Sequence, residues 1–260
     1  MAAQTLLDLI TGLSAGSIRI VDLTQPLHEK TPLLQLPPEF GRSWPFKLEK
    51  ISEYDDLGPA WYWNNFSCGE HTGTHFDAPI HWVTGKDHEN NATDTIPSDA
   101  FIGAACVIDA AAECRANPDF LVDAAYLKQW EAEHGTIPEN AWVLFRTDWS
   151  KKYDSDEYLN MKEDGAHTPG WAPDAIRYLA EDRNVKGAGV ETVGTDAGQA
   201  FGLDPQLPCH NLMHGSNKYG LAALCNLDQL PPTGTIVIAA PLKIQNGSGS
   251  PCRAFALVPS

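Results

Sequence analysis

The chain has 260 residues, 43% of them hydrophobic and 20% charged, ordinary proportions for a globular protein. With 18 basic and 34 acidic residues its net charge is −16, a field that repels phosphate backbones and anionic lipid, so neither nucleic acid nor membrane is expected as a partner. No run approaches the roughly 20 consecutive apolar residues of a membrane helix, because LLDLITGLSAGSIRIVDL is broken by Asp8, Thr11, Gly12, Ser14 and Arg19.

In chain order, MAAQTLLDLITGL reads as a short amphipathic helix ending at Gly16, without the basic start of a secretory signal. SIRIVDL, AWYWNNFSC, AACVIDA, AWVLFRT, GAGVETV, TIVIAA and AFALV read as strands. Between them VDAAYLKQWEAEHG is apolar at helical spacing and stops at Gly135, and APDAIRYLAEDR carries Pro173 in a first helical turn. Residues 25–60, with Pro26, Pro32, Pro37, Pro38, Pro45 and Pro59, and the polar stretch 147–172 read as long loops of the kind that form lids, arms or subunit contacts. No linker divides the chain, so a single α/β domain over 1–260 is expected. Six cysteines without CxxC spacing fit reduced thiols and a cytoplasmic location.

Four of the nine histidines, His71, His75, His81 and His88, fall within 18 positions. His71, His75 and Asp77 in HTGTHFD offer two imidazoles and a carboxylate, a mixed donor set that suits Zn²⁺, Mn²⁺ or Fe²⁺ and points to a metal-dependent hydrolase. Fully extended, four residues span about 13 Å, too far for His71 and His75 to share an ion, so the segment must bend. Thr72, Gly73, Thr74 and the proline at 79 argue against a helix, which leaves Gly73 as the turn. Beyond it His75 and Asp77 face one side of an extended segment, and His81 is placed to take a proton from water. His28, His88, His134 and His167 read as ordinary loop and surface residues.

A second polar patch, GTDAGQAFGLDPQLPCHNLMHG, holds Thr195, Asp196, Gln199, His210 and His214. His210 is the candidate for substrate contact here, while Asp196 fits a helix cap equally well. Trp63 and Trp82 flank the first motif and offer stacking surfaces to a flat apolar substrate. Trp130, Trp142 and Trp149 read as core.

HTGTHFDAPIH resembles the HxGTHxDxPxH signature of the cyclase-like metal hydrolases, which include bacterial kynurenine formamidase and isatin hydrolase. The likeness to the isatin hydrolase branch continues through GVETVGTDAGQA, PCHNLMHGSNKYGL, NLDQLPPTG and APLKIQNGSGSPCRAFAL. It implies His71, His75 and Asp77 as metal ligands and His81 as the catalytic histidine. It also implies a mixed α/β fold of the swivelling type, with a small central barrel-like sheet and surrounding helices, assembled as a homodimer.

Formamidase relatives hold a second zinc through a histidine and a glutamate twelve residues later. Twelve residues after His210 stands Ala222, which cannot coordinate a cation. The resemblance therefore implies one metal per chain, Mn²⁺ in the isatin hydrolase branch, with Zn²⁺ as the alternative.

The expected reaction is hydrolysis of a small aromatic cyclic amide, isatin to isatinate. The rival substrate is an aryl formamide. A more distant rival is a non-haem iron oxygenase built on His75, Asp77 and His210. No GxSxG elbow supports a serine nucleophile.

Overall fold

The structure is a computed structural model and describes residues 2–34, 36 and 41–260; Pro37 and Pro38 of the proline-rich stretch lie outside them. Helix α1 (Ala2–Ala15) leads into β1 (Ile18–Asp22), then β2 (Lys47–Glu53), β3 (Tyr62–Ser67) and β4 (His75–Asp77). After β5 (Ile102–Asp109) come α2 (Ala111–Ala116), β6 (Leu121–Val122), α3 (Ala124–His134) and β7 (Trp142–Arg146). The long loop contains β8 (Met161–Lys162), β9 (Gly165–Ala166) and β10 (Gly170–Trp171) before α4 (Pro173–Arg177). The chain closes with β11 (Gly187–Val190), β12 (Tyr219–Ala222), β13 (Thr235–Pro241) and β14 (Gly249–Pro259).

Hydrogen bonding runs in the order β14, β13, β5, β7, β11, β12, β4 and back to β14, closing a barrel, with β1 added along β14. Steps from β5 to β7, β7 to β11 and β11 to β12 are parallel and the rest antiparallel, so the sheet is mixed. Parallel neighbours need crossover connections, and α3 and α4 supply two of them.

Period-two alternation sorts the side chains of each barrel strand onto two faces. Trp142 and Leu144 of β7 join Phe76, Leu221 and Val237 in one cluster. Val143 and Phe145, one position out of step, pack with Leu127, Trp130, Trp171 and Ile176 beneath the helices. Trp130, Trp142 and Trp149 are all buried, as core residues should be.

Helix α3 begins where Asp123 accepts from the Tyr126 amide and ends before Gly135; α4 begins at Pro173, as the spacing predicts. One expectation fails: residues 47–53, read as loop, form β2. Its residues are polar and mostly exposed, so burial gives no alternation to read, and antiparallel pairing with β3 holds it instead.

Candidate metal centre

The signature segment bends at Gly73, whose φ is +62°, and runs extended as β4 from His75. A Cβ at Gly73 would sit 2.5 Å from Leu27 Cδ2, so conformation and space both require glycine. Phe76 points into the fully buried barrel cluster, which turns His75 and Asp77 to the opposite face. Asp77 has a glycine opposite it on each neighbouring strand, Gly220 and Gly249. A Cβ on Gly249 would approach within 2.5 Å of His71 Cε1, so the bare backbone there makes room for the ring.

His71 folds back until its Nδ1 lies 2.7 Å from Asp77 Oδ1. His75 Nε2 is 3.3 Å from the same oxygen. Burial by itself would raise the Asp77 carboxyl, but His75 and His71 beside it hold it well below the usual carboxylate range. For His75 burial works against the charged form, and Asp77 more than offsets it, leaving the imidazole above its usual value.

The donor chemistry fits a cation. A peptide carbonyl only accepts, so His75 Nδ1, 2.7 Å from Gly73 O, carries a hydrogen, and Nε2, facing Asp77, is the nitrogen free to exchange its proton for a cation. His214 repeats the pattern: Nδ1 donates to Lys218 O at 3.0 Å, and its buried Nε2 has no partner among the described residues. Imidazole nitrogens converging on one carboxylate form a set whose shared protons a divalent ion can replace.

Among the described residues two groups bring ligand atoms within 4.8 Å of one another, His71 with Asp77 and His81, and Asp77 with His210 and His214. His75 is in neither group and joins the centre through Asp77.

His81 follows Pro79 in a single 3-10 turn, Pro79–His81, and its ring stacks on His71 at 3.8 Å between centroids. Burial and the neighbouring His71 push this imidazole down to about 2, so it is neutral near neutral pH. Trp82 lies 5.2 Å from the His210 ring, and its indole nitrogen is buried without a partner among the described residues.

His210 and His214 sit four apart on a π-helical turn, Cys209–His214, a geometry that keeps both on one side. Asp196 caps that turn, its Oδ1 accepting from the Cys209 amide at 2.7 Å and its Oδ2 from His210 Nδ1 at 2.5 Å. Burial disfavours charge on His210, yet Asp196 prevails and holds it above its usual value. Burial and His210 together lower His214 to about 4.

Trp63 stands about half exposed on β3 opposite Ser52 and makes no ring contact with the cluster. The remaining histidines are satisfied elsewhere: His88 with Gly215 O, His167 between Asp119 and Asp164, His28 with Asp154 and His134 against Trp130. All six cysteines are unpaired, and burial raises the thiols, Cys209 well above its usual value and Cys252 to about 12, which disfavours a thiolate nucleophile.

Two contributors were not read from the sequence, and His214 was named in the second patch without a role, which its HxxxH spacing with His210 could have given it. Glu70 and Ser248 carried no local signal; Ser248 Oγ lies 2.9 Å from His71 Nε2 across 177 residues of chain. Glu70 also lines a cavity of about 500 Å³ with Cys68, Leu27 and Ile244.

The model of the cyclase family matches residues 21–197. An isatin hydrolase of Roseibium aggregatum is 51% identical across 100% of this chain and 99% of its own length. A kynurenine formamidase of Salinibacter ruber is 27% identical over 90% of this chain and 95% of its own. A crystal structure of an isatin hydrolase bound to the product analogue thioisatinate superposes with a TM-score of 0.98 at 50% identity, each chain covered in full.

Proposed function

The chain belongs to the cyclase family, and on that premise we propose that it is a metal-dependent hydrolase that opens the cyclic amide of isatin to give isatinate. The observation that carries this reading is the whole-length 51% identity with an isatin hydrolase. The mixed imidazole and carboxylate site at β4 agrees with it. His71, His75 and Asp77 would hold the ion, with Mn²⁺ as the assignment and Zn²⁺ as the alternative, because both accept nitrogen and oxygen donors. When bound there, a divalent ion would supply Lewis acidity toward the lactam carbonyl and toward water.

His81 does the proton work. Being neutral, it accepts a proton from the attacking water. It returns that proton to the ring nitrogen as the amide C–N bond breaks. Trp82 and His210 form one wall for the flat substrate, and the unpartnered Trp82 indole N–H is a donor for a substrate carbonyl.

Ala222, opposite His75 in register where a second carboxylate would be needed, supports one ion per chain. The oxygenase reading leaves His71 unused beside Asp77 and expects an all-β barrel, whereas helices cover this sheet.

We read 1–260 as one domain because β1 and β14 belong to one sheet. The exposed aromatics of β3, Tyr62, Trp63 and Phe66, support a homodimer. The unpaired thiols suit the reducing cytoplasm, and no helix among the described residues is long and apolar enough to cross a membrane. The test follows isatin disappearance by ultraviolet absorbance as Mn²⁺ or Zn²⁺ is added to metal-free protein, with N-formylkynurenine as comparison. Faster turnover of the formamide than of isatin would overturn the assignment.

A further inference from the structure

The segment NGSGSP, residues 246–251, was noted for its likeness alone and has no role in the reaction described above. It enters β14 and places Ser248 against the metal centre from the far end of the chain. We propose that Glu70 and Ser248 form a clamp that positions His71, fixing the hydrogen on Nε2 so that Nδ1 is presented as an electron pair beside Asp77.

The argument is a count of hydrogens. Ser248 Oγ has one, and it lies 2.5 Å from Glu70 Oε2, a carboxylate oxygen that only accepts. The Ser248 amide donates to the same oxygen at 3.3 Å and fixes the direction of approach. With its hydrogen committed to Glu70, the hydroxyl has only lone pairs left for His71 Nε2 at 2.9 Å, so Nε2 must be the donor. Without a cation, a proton bridges His71 Nδ1 to Asp77 Oδ1 at 2.7 Å; when an ion takes that proton's place, the hydrogen held on Nε2 leaves Nδ1 as the electron pair.

The glycines on either side of Ser248 permit the approach. A Cβ on Gly247 would meet Glu70 Oε1 at 3.2 Å, and one on Gly249 would meet the His71 ring. His75 reaches the same state through the Gly73 carbonyl, an acceptor that no side-chain change alters. The orientation of His71 is therefore conditional on a carboxylate and a hydroxyl, and that of His75 is not.

The inference rests on the metal-site reading, and its readouts do not need turnover. The first is Mn²⁺ affinity of metal-free protein, followed by the electron paramagnetic resonance of the free ion. The second is the imidazole ¹⁵N signature of His71 in the Zn²⁺-loaded protein, which reports which nitrogen bears hydrogen.

Ser248→Ala should weaken Mn²⁺ binding by about 10- to 100-fold, the usual effect of losing a group that orients a ligand. Glu70→Gln should cost at least as much. Its amide N–H₂ donates to the hydroxyl, turning the hydroxyl hydrogen toward Nε2 and driving the His71 hydrogen to Nδ1. Ser248→Thr, which keeps the hydroxyl, should stay within a few fold of wild type.

Wild-type affinity in both Ser248→Ala and Glu70→Gln, or a wild-type His71 bearing its hydrogen on Nδ1, overturns the clamp. Should Ser248→Ala fail to fold, the near-isosteric Glu70→Gln and the wild-type spectrum still decide. Tight Mn²⁺ binding with the expected variant losses but no isatin turnover would sink the proposed reaction and leave the clamp standing.

Discussion

The segment from Glu70 to Trp82 and the ribbon of β2 and β3 invert the usual sorting of residues in opposite directions. The first buries an aspartate and histidines behind the barrel wall. The second leaves Trp61, Tyr62, Trp63 and Phe66 at about half exposure or more on a two-stranded sheet that pairs only with itself. Buried polar groups demand hydrogen bonds or ions, and exposed apolar groups demand a covering surface. On the proposed reading each region is completed from outside the chain, by an ion in one case and by a second copy in the other.

The sharpest break in this comparison is Asp77→Asn. It removes the anionic oxygen on which His71 and His75 converge, and should lower kcat/KM by roughly four orders of magnitude together with loss of bound metal by elemental analysis. A variant that retains one metal per chain would move the centre elsewhere. His81→Ala comes next, with a kcat loss of about 10²- to 10⁴-fold while metal content stays unchanged. Full activity in that variant would remove His81 from the proton path.

Stability should respond to acid through the same buried segment. His81 is held at about 2 and His214 at about 4, below the value of 6.5 that both recover on unfolding. At these two sites the unfolded chain therefore binds more protons than the folded one below pH 6.5, and their contribution to stability falls as pH drops. The slope is about 1.4 kcal/mol per pH unit for each site. His75 and His210, held above their usual values, act in the other sense and only above pH 6.5. Urea midpoints of metal-free protein between pH 6.5 and 5 test this; a flat profile contradicts the burial of these rings, and His81→Ala should reduce the slope.

The smallest effect on the chain itself is expected in the ribbon. Trp63→Ser should change the stability of the isolated fold by less than about 0.5 kcal/mol. Sedimentation should nevertheless show the dimer dissociating at higher protein concentration. Unchanged association would release the ribbon from that role.

The two regions also differ in how far they could be read in advance. HTGTHFDAPIH is local: the bend at Gly73, the extended His75–Asp77 and the position of His81 all follow from short-range geometry, and the structure has each of them. The barrel strands were legible for a similar reason, since runs such as WVLFR are apolar on both faces and lie between two clusters.

What escaped notice depends on distant pairing. β2 has no apolar alternation, because its partner is β3 and its faces are wet. Ser248 meets His71 only after the barrel has closed. Trp63, read as a site residue from its nearness to the motif, stands on β3 of the outer ribbon, half exposed.

β4 has three residues, yet it is hydrogen-bonded along both edges, to β12 on one side and to residues 249–251 of β14 on the other. During synthesis the signature segment leaves the ribosome with about two thirds of the chain still to come. Its second edge stays open until residue 251 has emerged. A nascent chain can therefore display every proposed ligand of the ion and still lack the seam that aligns them.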